Sequence, residues 1–423
     1  MKLQLIKQRL IACCFIGSLF ISNAHAEDDF IAALKGGTFN FQSNTRYEYI
    51  DDEFRAAGNQ TADAITTRTA LGYKTGDFYN VFGFLEFEDV TNITNDKQYN
   101  DLQNGLTNLP VIADPEGTEV NQAYIGIKLM EDATIIKTGR QQITPRKAPF
   151  HRFLGTVLWR QNYQMQDAVT VTNTSLPNTK AMAGYIWNNN FISGARRDMN
   201  APIFNVQYSG FKYAKLEGYY YDLEFRDAAA LSTTTFGFRA NGGIPVFDEK
   251  TKFIYAGEYA TQEEGDNAPV AYDADYYLIE AGFKRSLDNE FIKTVLFKAS
   301  YEVLGSDNGV QSFRTPLGTN HAFQGWADLF LNTPAAGIED TYLTLVATGK
   351  WKTKIIVRYD MFSADEGGFD YGDELGIWFT KKFAKNYTLG IKYAGYMGDS
   401  NAGNAARFAA DLTRFWTYFT IDF

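Results

Sequence analysis

Cysteine is nearly missing from this chain of 423 residues: the two present, Cys13 and Cys14, both fall near the amino terminus. Disulfide frameworks, thiolate metal sites and cysteine nucleophiles are therefore excluded beyond that point. Histidine is almost as scarce, at His25, His151 and His321, and no HExxH helix or GxGxxG fingerprint occurs, so the common metal-hydrolase and nucleotide-binding classes find no foothold. Basic residues number 40 against 50 acidic, a balance that argues against a nucleic-acid partner. Proline is limited to 10 residues, and no apolar run long enough for a membrane-spanning helix follows the first segment.

That first segment reads as a secretory leader. Lys2, Lys7 and Arg9 precede an apolar run from Leu10 to Ile21 that ends at Ala24-His25-Ala26. Cleavage is expected before Glu27, giving a leader over 1–26 and one domain over 27–423. Loss of the three leader cations leaves 37 basic residues against 50 acidic, a mature formal charge of −13. Leu10-Ile11-Ala12-Cys13 superficially resembles a lipoprotein processing site, but no apolar segment would stand ahead of Cys13.

What the chain has in excess is aromatic residues, 16% in all with 34 Phe and 26 Tyr, set in a period-two rhythm. Phe39, Phe41, Thr45, Tyr47 and Tyr49 fall on one face of the first segment, and Asn40, Gln42, Asn44, Arg46 and Glu48 on the other. Strands are predicted over 38–50, 63–75, 78–90, 118–129, 131–141, 165–173, 179–188, 202–209, 212–224, 231–242, 250–262, 271–286, 290–304, 338–349, 351–363, 371–383, 386–398 and 409–423. Connections alternate long and short, with long ones such as 91–117, 142–164, 189–201 and 305–337. That alternation supports an even strand number, 18 with 16 as the rival.

An all-β, antiparallel transmembrane barrel follows, with short periplasmic turns and long extracellular loops. In hydrocarbon every backbone N–H and C=O must be paired internally, so such a sheet has to close. A closed wall of 16 to 18 strands leaves an aqueous channel. The expected location is the outer membrane of a Gram-negative bacterium. Lipids and lipopolysaccharide would surround the wall, and the strand ending at Phe423, with Phe415, Thr417, Phe419 and Ile421 in phase, resembles a signal for the barrel assembly machinery.

Alternation assigns Arg46, Arg68, Arg140, Lys215, Arg239, Lys298, Arg358, Lys392 and Arg414 to the lumen. Glu48, Glu86, Glu88, Glu217, Glu258, Glu280, Glu302 and Glu374 join them. Such charges keep off the lipid side, where Arg or Lys at the midplane costs about 2–4 kcal/mol. Clustered at a constriction, arginines would also attract carboxylates through bidentate hydrogen bonds. The stretch 139–171 adds Arg146, Lys147, Arg152 and Arg160, which with Arg140 make five cations within 21 residues and no acid among them, a basic loop that could fold back into the pore.

Gly139-Arg140-Gln141, then Arg152-Phe153-x-Gly155, Trp159-Arg160 and Asp167-Ala168-Val169, resemble the alginate-export family of outer-membrane channels. The resemblance implies a monomeric 18-stranded barrel passing an anionic uronate polysaccharide, with Arg140, Arg152 and Arg160 at or supporting the constriction. The expected site set is Arg46, Arg68, Arg140, Arg152, Arg160, Arg239, Lys298, Arg358, Lys392 and Arg414. No cofactor, metal or catalytic residue is expected, and the solute is an anionic saccharide or a small anion. The alternative is a general diffusion porin.

Two other classes fit less well. An outer-membrane enzyme would need a base near a nucleophile, yet His151 and His321 sit in predicted loops outside any nucleophile motif and read as solvated. Asp51-Asp52-Glu53 and Asp365-Glu366 could bind divalent cations but read as acidic loop faces. A TonB-dependent receptor would need a plug, and only about ten residues separate Glu27 from the first strand.

Overall fold

Alternating side chains govern the backbone of the computed structural model, which describes residues 25–94, 98–148, 151–403 and 406–423. The predicted leader lies outside the described residues except for His25 and Ala26. A helix α1, His25–Lys35, leads into β1 (Thr38–Asp52), β2 (Thr61–Lys74), β3 (Val81–Asn92), β4 (Gly117–Leu129), β5 (Thr134–Gln141) and β6 (Met165–Asn173). Next come β7 (Thr179–Asn190), β8 (Arg196–Tyr208), β9 (Ala214–Phe225), β10 (Thr233–Val246), β11 (Asp248–Glu264), β12 (Asp273–Ser286) and β13 (Ile292–Leu304). A two-residue hairpin, β14 (Ser306–Asp307) and β15 (Gln311–Ser312), sits in the following loop. The wall resumes with β16 (Ile338–Gly349), β17 (Thr353–Ser363), β18 (Asp370–Phe383), β19 (Tyr387–Gly398) and β20 (Leu412–Asp422).

All but the small hairpin form one 18-stranded antiparallel sheet in which each strand pairs with its sequence neighbours and β1 pairs with β20. The seam runs from Gln42↔Asp422 to Asp52↔Leu412. Phe41 N–H donates to Phe423 O at 3.0 Å and Phe423 N–H to Phe41 O at 2.8 Å, so no free edge remains there. In β2 the pattern is plain: Ala62, Ala64, Thr66, Arg68 and Ala70 are buried while Leu71 is 53% exposed. Leu71, Phe236, Ile279 and Phe297 belong to a continuous outward apolar band, which a water-soluble surface does not tolerate but hydrocarbon requires.

Two local features depart from expectation. The predicted strand over 202–209 begins earlier, at Arg196, and the predicted long connection 189–201 shrinks to a turn closed by Phe191 N–H→Ala195 O and Gly194 N–H→Phe191 O. Pro202, the first residue of the predicted segment, has no N–H to give to a ladder. Here it sits inside β8, and the β8–β9 ladder skips from Asn200↔Glu224 to Ile203↔Tyr221 around it without changing register. Helix α1 was not expected at all. Elsewhere the predicted and observed segments correspond strand for strand.

Candidate functional site: a loop-filled, cation-lined lumen

Three long connections at one end of the barrel fold into it instead of standing off it. Tyr99, Ile112 and Asp114 are buried in the first, 93–116; His151, Arg152, Phe153, Leu154 and Arg160 in the second, 142–164; and Phe313, Leu317, His321, Trp326 and Phe330 in the third, 305–337. The second and third hold each other through a parallel bridge at Leu154↔Leu317, with Gly155 N–H→Leu317 O at 3.0 Å. Phe153 packs between Tyr276 of the wall, at 5.0 Å, and Phe313, at 5.4 Å. The basic loop thus folds inward as its composition suggested; the inward course of the other two had no such local signal.

Arginines do the anchoring. Asp114 is fully buried and accepts from Arg46 Nη2 at 2.5 Å, Arg160 Nε at 3.0 Å and Gln161 N–H at 3.0 Å. Burial pushes the Asp114 carboxyl up, but Arg160 and Arg46 outweigh it and hold the group well below the usual carboxylate range. Glu48 receives Arg160 at 3.0 Å and Arg414 at 3.1 Å. Arg152 reaches the wall at Glu302, 3.0 Å, and the third loop at Gln324, 2.6 Å. Arg146 bridges Glu217 at 2.8 Å and Glu258 at 2.5 Å, and Arg239 joins Glu258 at 2.6 Å. Arg358 takes Asp360 and also Asp340 at 3.1 Å, and donates to Ala322 O at 3.0 Å. Arg68 pairs with Glu88 at 2.8 Å beneath the Tyr163 ring, and Lys298 pairs with Glu280.

The tip of the third loop carries the tightest fit. Trp326 N–H and Ala327 N–H both donate to the Glu374 carboxylate, the second at 3.0 Å. Gly325 beside them has φ +80°, and a Cβ there would lie 2.3 Å from Glu374 Oε2, so only glycine fits. Lys392 Nζ stands 2.6 Å from His321 Nε2 and within 4.1–5.7 Å of four ring centroids, those of Trp326, Trp159, Trp378 and Trp416. His321 donates its other nitrogen to Asp328 at 2.6 Å and stacks on Trp159 at 4.3 Å. Burial and the Lys392 charge drive the imidazole down to about 3 despite Asp328. His321 is thus a neutral strut, and His151, also buried, bonds Thr156 O; the expectation of solvated loop histidines is corrected on both.

The lumen left between loops and wall is a cavity of about 910 Å³. Among the described residues nine cationic side chains line it, Arg46, Arg68, Arg146, Arg152, Arg239, Lys298, Lys354, Arg358 and Lys392, against three carboxylates, Glu258, Glu280 and Asp422. Most partner carboxylates, Asp114, Glu48, Glu88, Glu302, Asp340 and Asp360 among them, stand behind the cations and off the lumen surface. The wall also presents Trp159, Trp326, Trp378, Tyr276, Tyr342 and Phe323. Low-dielectric walls lined by one sign concentrate ions of the other.

Seven of the ten expected site residues line this cavity. Arg160 and Arg414 do not; they lie behind it as the supports of Asp114 and Glu48. Arg140 is a correction: it pairs in register with Ala123, whose own partner is lipid-facing Leu85, so it belongs to the outer face and not the lumen. Its charge is neutralised there by a two-pronged bond to Asp167, 2.7 and 3.2 Å, at the loop end of the wall. The inward residue of that strand is Lys137, in phase with Gly139 and Gln141. Lys354, four residues before Arg358 on one face, was missed although period two alone could have found it. It pairs with no carboxylate among the described residues. The acidic loop faces also resolve: Asp52 is held by Arg55 at 3.4 Å and Arg407 at 2.9 Å, and Asp365 accepts Ser306 N–H.

No protein-family model and no curated protein sequence matches the chain. Solved structures do. Pseudomonas aeruginosa OpdK, crystallised with vanillate, superposes with a TM-score of 0.69 at 11% identity, over 92% of this chain and 99% of that one. Acinetobacter baumannii OccAB2 gives 0.69 at 14% identity over 93% and 99%, and P. aeruginosa OccK11 (OpdR) gives 0.67 at 13% over 92% and 97%. The architecture shared with them is the closed 18-stranded barrel of outer-membrane porins.

Proposed function

We propose that this chain is an outer-membrane channel of a Gram-negative bacterium that passes small anionic solutes, aromatic carboxylates among them. The carrying observation is the excess, among the described residues, of nine cations over three carboxylates around the lumen of a protein whose net charge is −10. A carboxylate entering there meets guanidinium groups already held rigid by buried partners, so little ordering remains to be done on binding. The aromatic residues beside them suit a planar ring, and the structural neighbour OpdK was crystallised with such a ligand, vanillate.

Reversal potentials across planar bilayers in a salt gradient test this directly. Anion preference is expected despite the acidic composition; cation preference or none would favour the general diffusion porin. A uronate polysaccharide is the second reading, supported by the alginate-export motif. Gly139 and Arg140 of that motif pair with its Ala168 and Asp167 across β5 and β6, where they fasten the wall, so the choice of solute rests on the lumen. Liposome swelling with aromatic carboxylates against uronate oligomers separates the two. We further infer a monomer without catalytic activity, set among phospholipid and lipopolysaccharide and delivered by the barrel assembly machinery through β20.

A further inference from the structure

Among the described residues that line the lumen cavity, none belongs to helix α1. Its carboxyl-terminal end is tied to the outer surface of the wall at the short-turn end. Gly76 N–H donates to Ala33 O at 2.9 Å, and Gly37 N–H to the Tyr73 hydroxyl at 3.1 Å, while that hydroxyl donates to Leu34 O. Tyr73 is a lipid-facing residue, in register with Phe39, 70% exposed, and Leu85. Phe30 meets Phe78 of the β2–β3 turn edge-on at 5.4 Å. The helix is thus moored beside the barrel's apolar band and not beneath its mouth.

Helical spacing then sorts the side chains. Phe30, Ile31 and Leu34 fall within one arc of about 100°, and all three are roughly two-fifths exposed. Asp28 and Asp29 lie outside that arc. Three large apolar residues facing water on so short a helix are costly, whereas a helix lying in an interface buries such a face ~5–10 Å into the headgroup and acyl boundary.

We propose that α1 is an interfacial anchor whose Phe30–Ile31–Leu34 face rests on the phospholipid leaflet at the periplasmic rim of the barrel. The occupant follows from continuity: the face extends the lipid-contacting band through Tyr73 and Phe39. This rests on the reading of the chain as a membrane channel, and the test keeps the two apart.

Cys13 and Cys14 are the two cysteines of the chain, so with both replaced by serine, single-cysteine variants give clean spin-label sites. Ile31→Cys, Asp28→Cys and Phe297→Cys, the last on the lipid face of the wall, are labelled in the full chain and reconstituted in phosphatidylethanolamine–phosphatidylglycerol vesicles. Collision rates with oxygen and with a water-soluble nickel chelate report depth. The label at 31 is expected at ~5–10 Å below the phosphate level, with nickel collisions largely lost, and the label at 28 in water. A water-exposed label at 31, or one shielded from both reagents, with the 297 label still in lipid, overturns the anchor alone. A water-exposed label at 297 overturns the channel reading as well.

Discussion

Arg152 joins three parts of the molecule, and removing it should loosen the constriction measurably. Its Nε is 3.0 Å from Glu302 on β13, its Nη2 2.6 Å from Gln324 on the third loop, and its own backbone belongs to the second loop. Both charges of the pair are at most 2% exposed, so solvent screening gives little relief. Breaking a buried pair by deleting one member costs about 3–5 kcal/mol, because the other charge is left stranded. The Tyr276 hydroxyl, 2.7 Å from Glu302, stays in place and puts the expected cost of Arg152→Met near the lower end, about 3 kcal/mol. That raises the population of undocked loops roughly 150-fold. Single-channel recording should then show larger and noisier conductance than the parent. Adding Glu302→Gln should recover much of the parental behaviour, since no lone charge remains. A folded Arg152→Met channel with unchanged conductance, noise and anion preference would refute the anchoring argument.

Other outcomes follow from the same geometry. Lys354→Glu replaces a lumen cation that has no carboxylate partner, and should shift the reversal potential toward cation preference with little change in thermal stability. Asp114→Asn leaves Arg46 and Arg160 with less compensation and should cost about 3–5 kcal/mol of loop docking, read as faster limited proteolysis within 93–116 and 142–164. His321 binds a proton less readily folded, at about 3, than unfolded, near 6.5, so stability should fall as pH drops through that window, by up to about 1.4 kcal/mol per unit. Asp328, held low, acts in the same direction below about 4. His321→Gln should flatten the pH dependence of the melting temperature in detergent.

The wall was legible because every strand repeats one physical rule, apolar to lipid and polar to lumen, and strands such as β16 fall where the alternation places them. The rule weakens where both faces are polar. Near the loop end of β5, Arg140 and Gln141 are both hydrophilic, and nothing local says which points inward; register with Ala123 and Asp167 decides it. The early start of β8 was hidden for a similar reason, since Arg196, Arg197, Asp198 and Asn200 put polar residues on both faces and Pro202 has no N–H for the ladder. The basic loop announced its inward course through its composition. The third loop did not: His321 and Trp326 meet Trp159, Trp378, Lys392 and Trp416 only after the barrel has closed, and no spacing in the sequence encodes that meeting.

The parallel bridge between Leu154 and Leu317 has a mechanical consequence. Two connections laced backbone to backbone cannot swing independently, since drawing one aside drags its neighbour off Glu302 and Glu374 together. The width of the passage is therefore expected to change in one discrete jump, with both segments seated or both released.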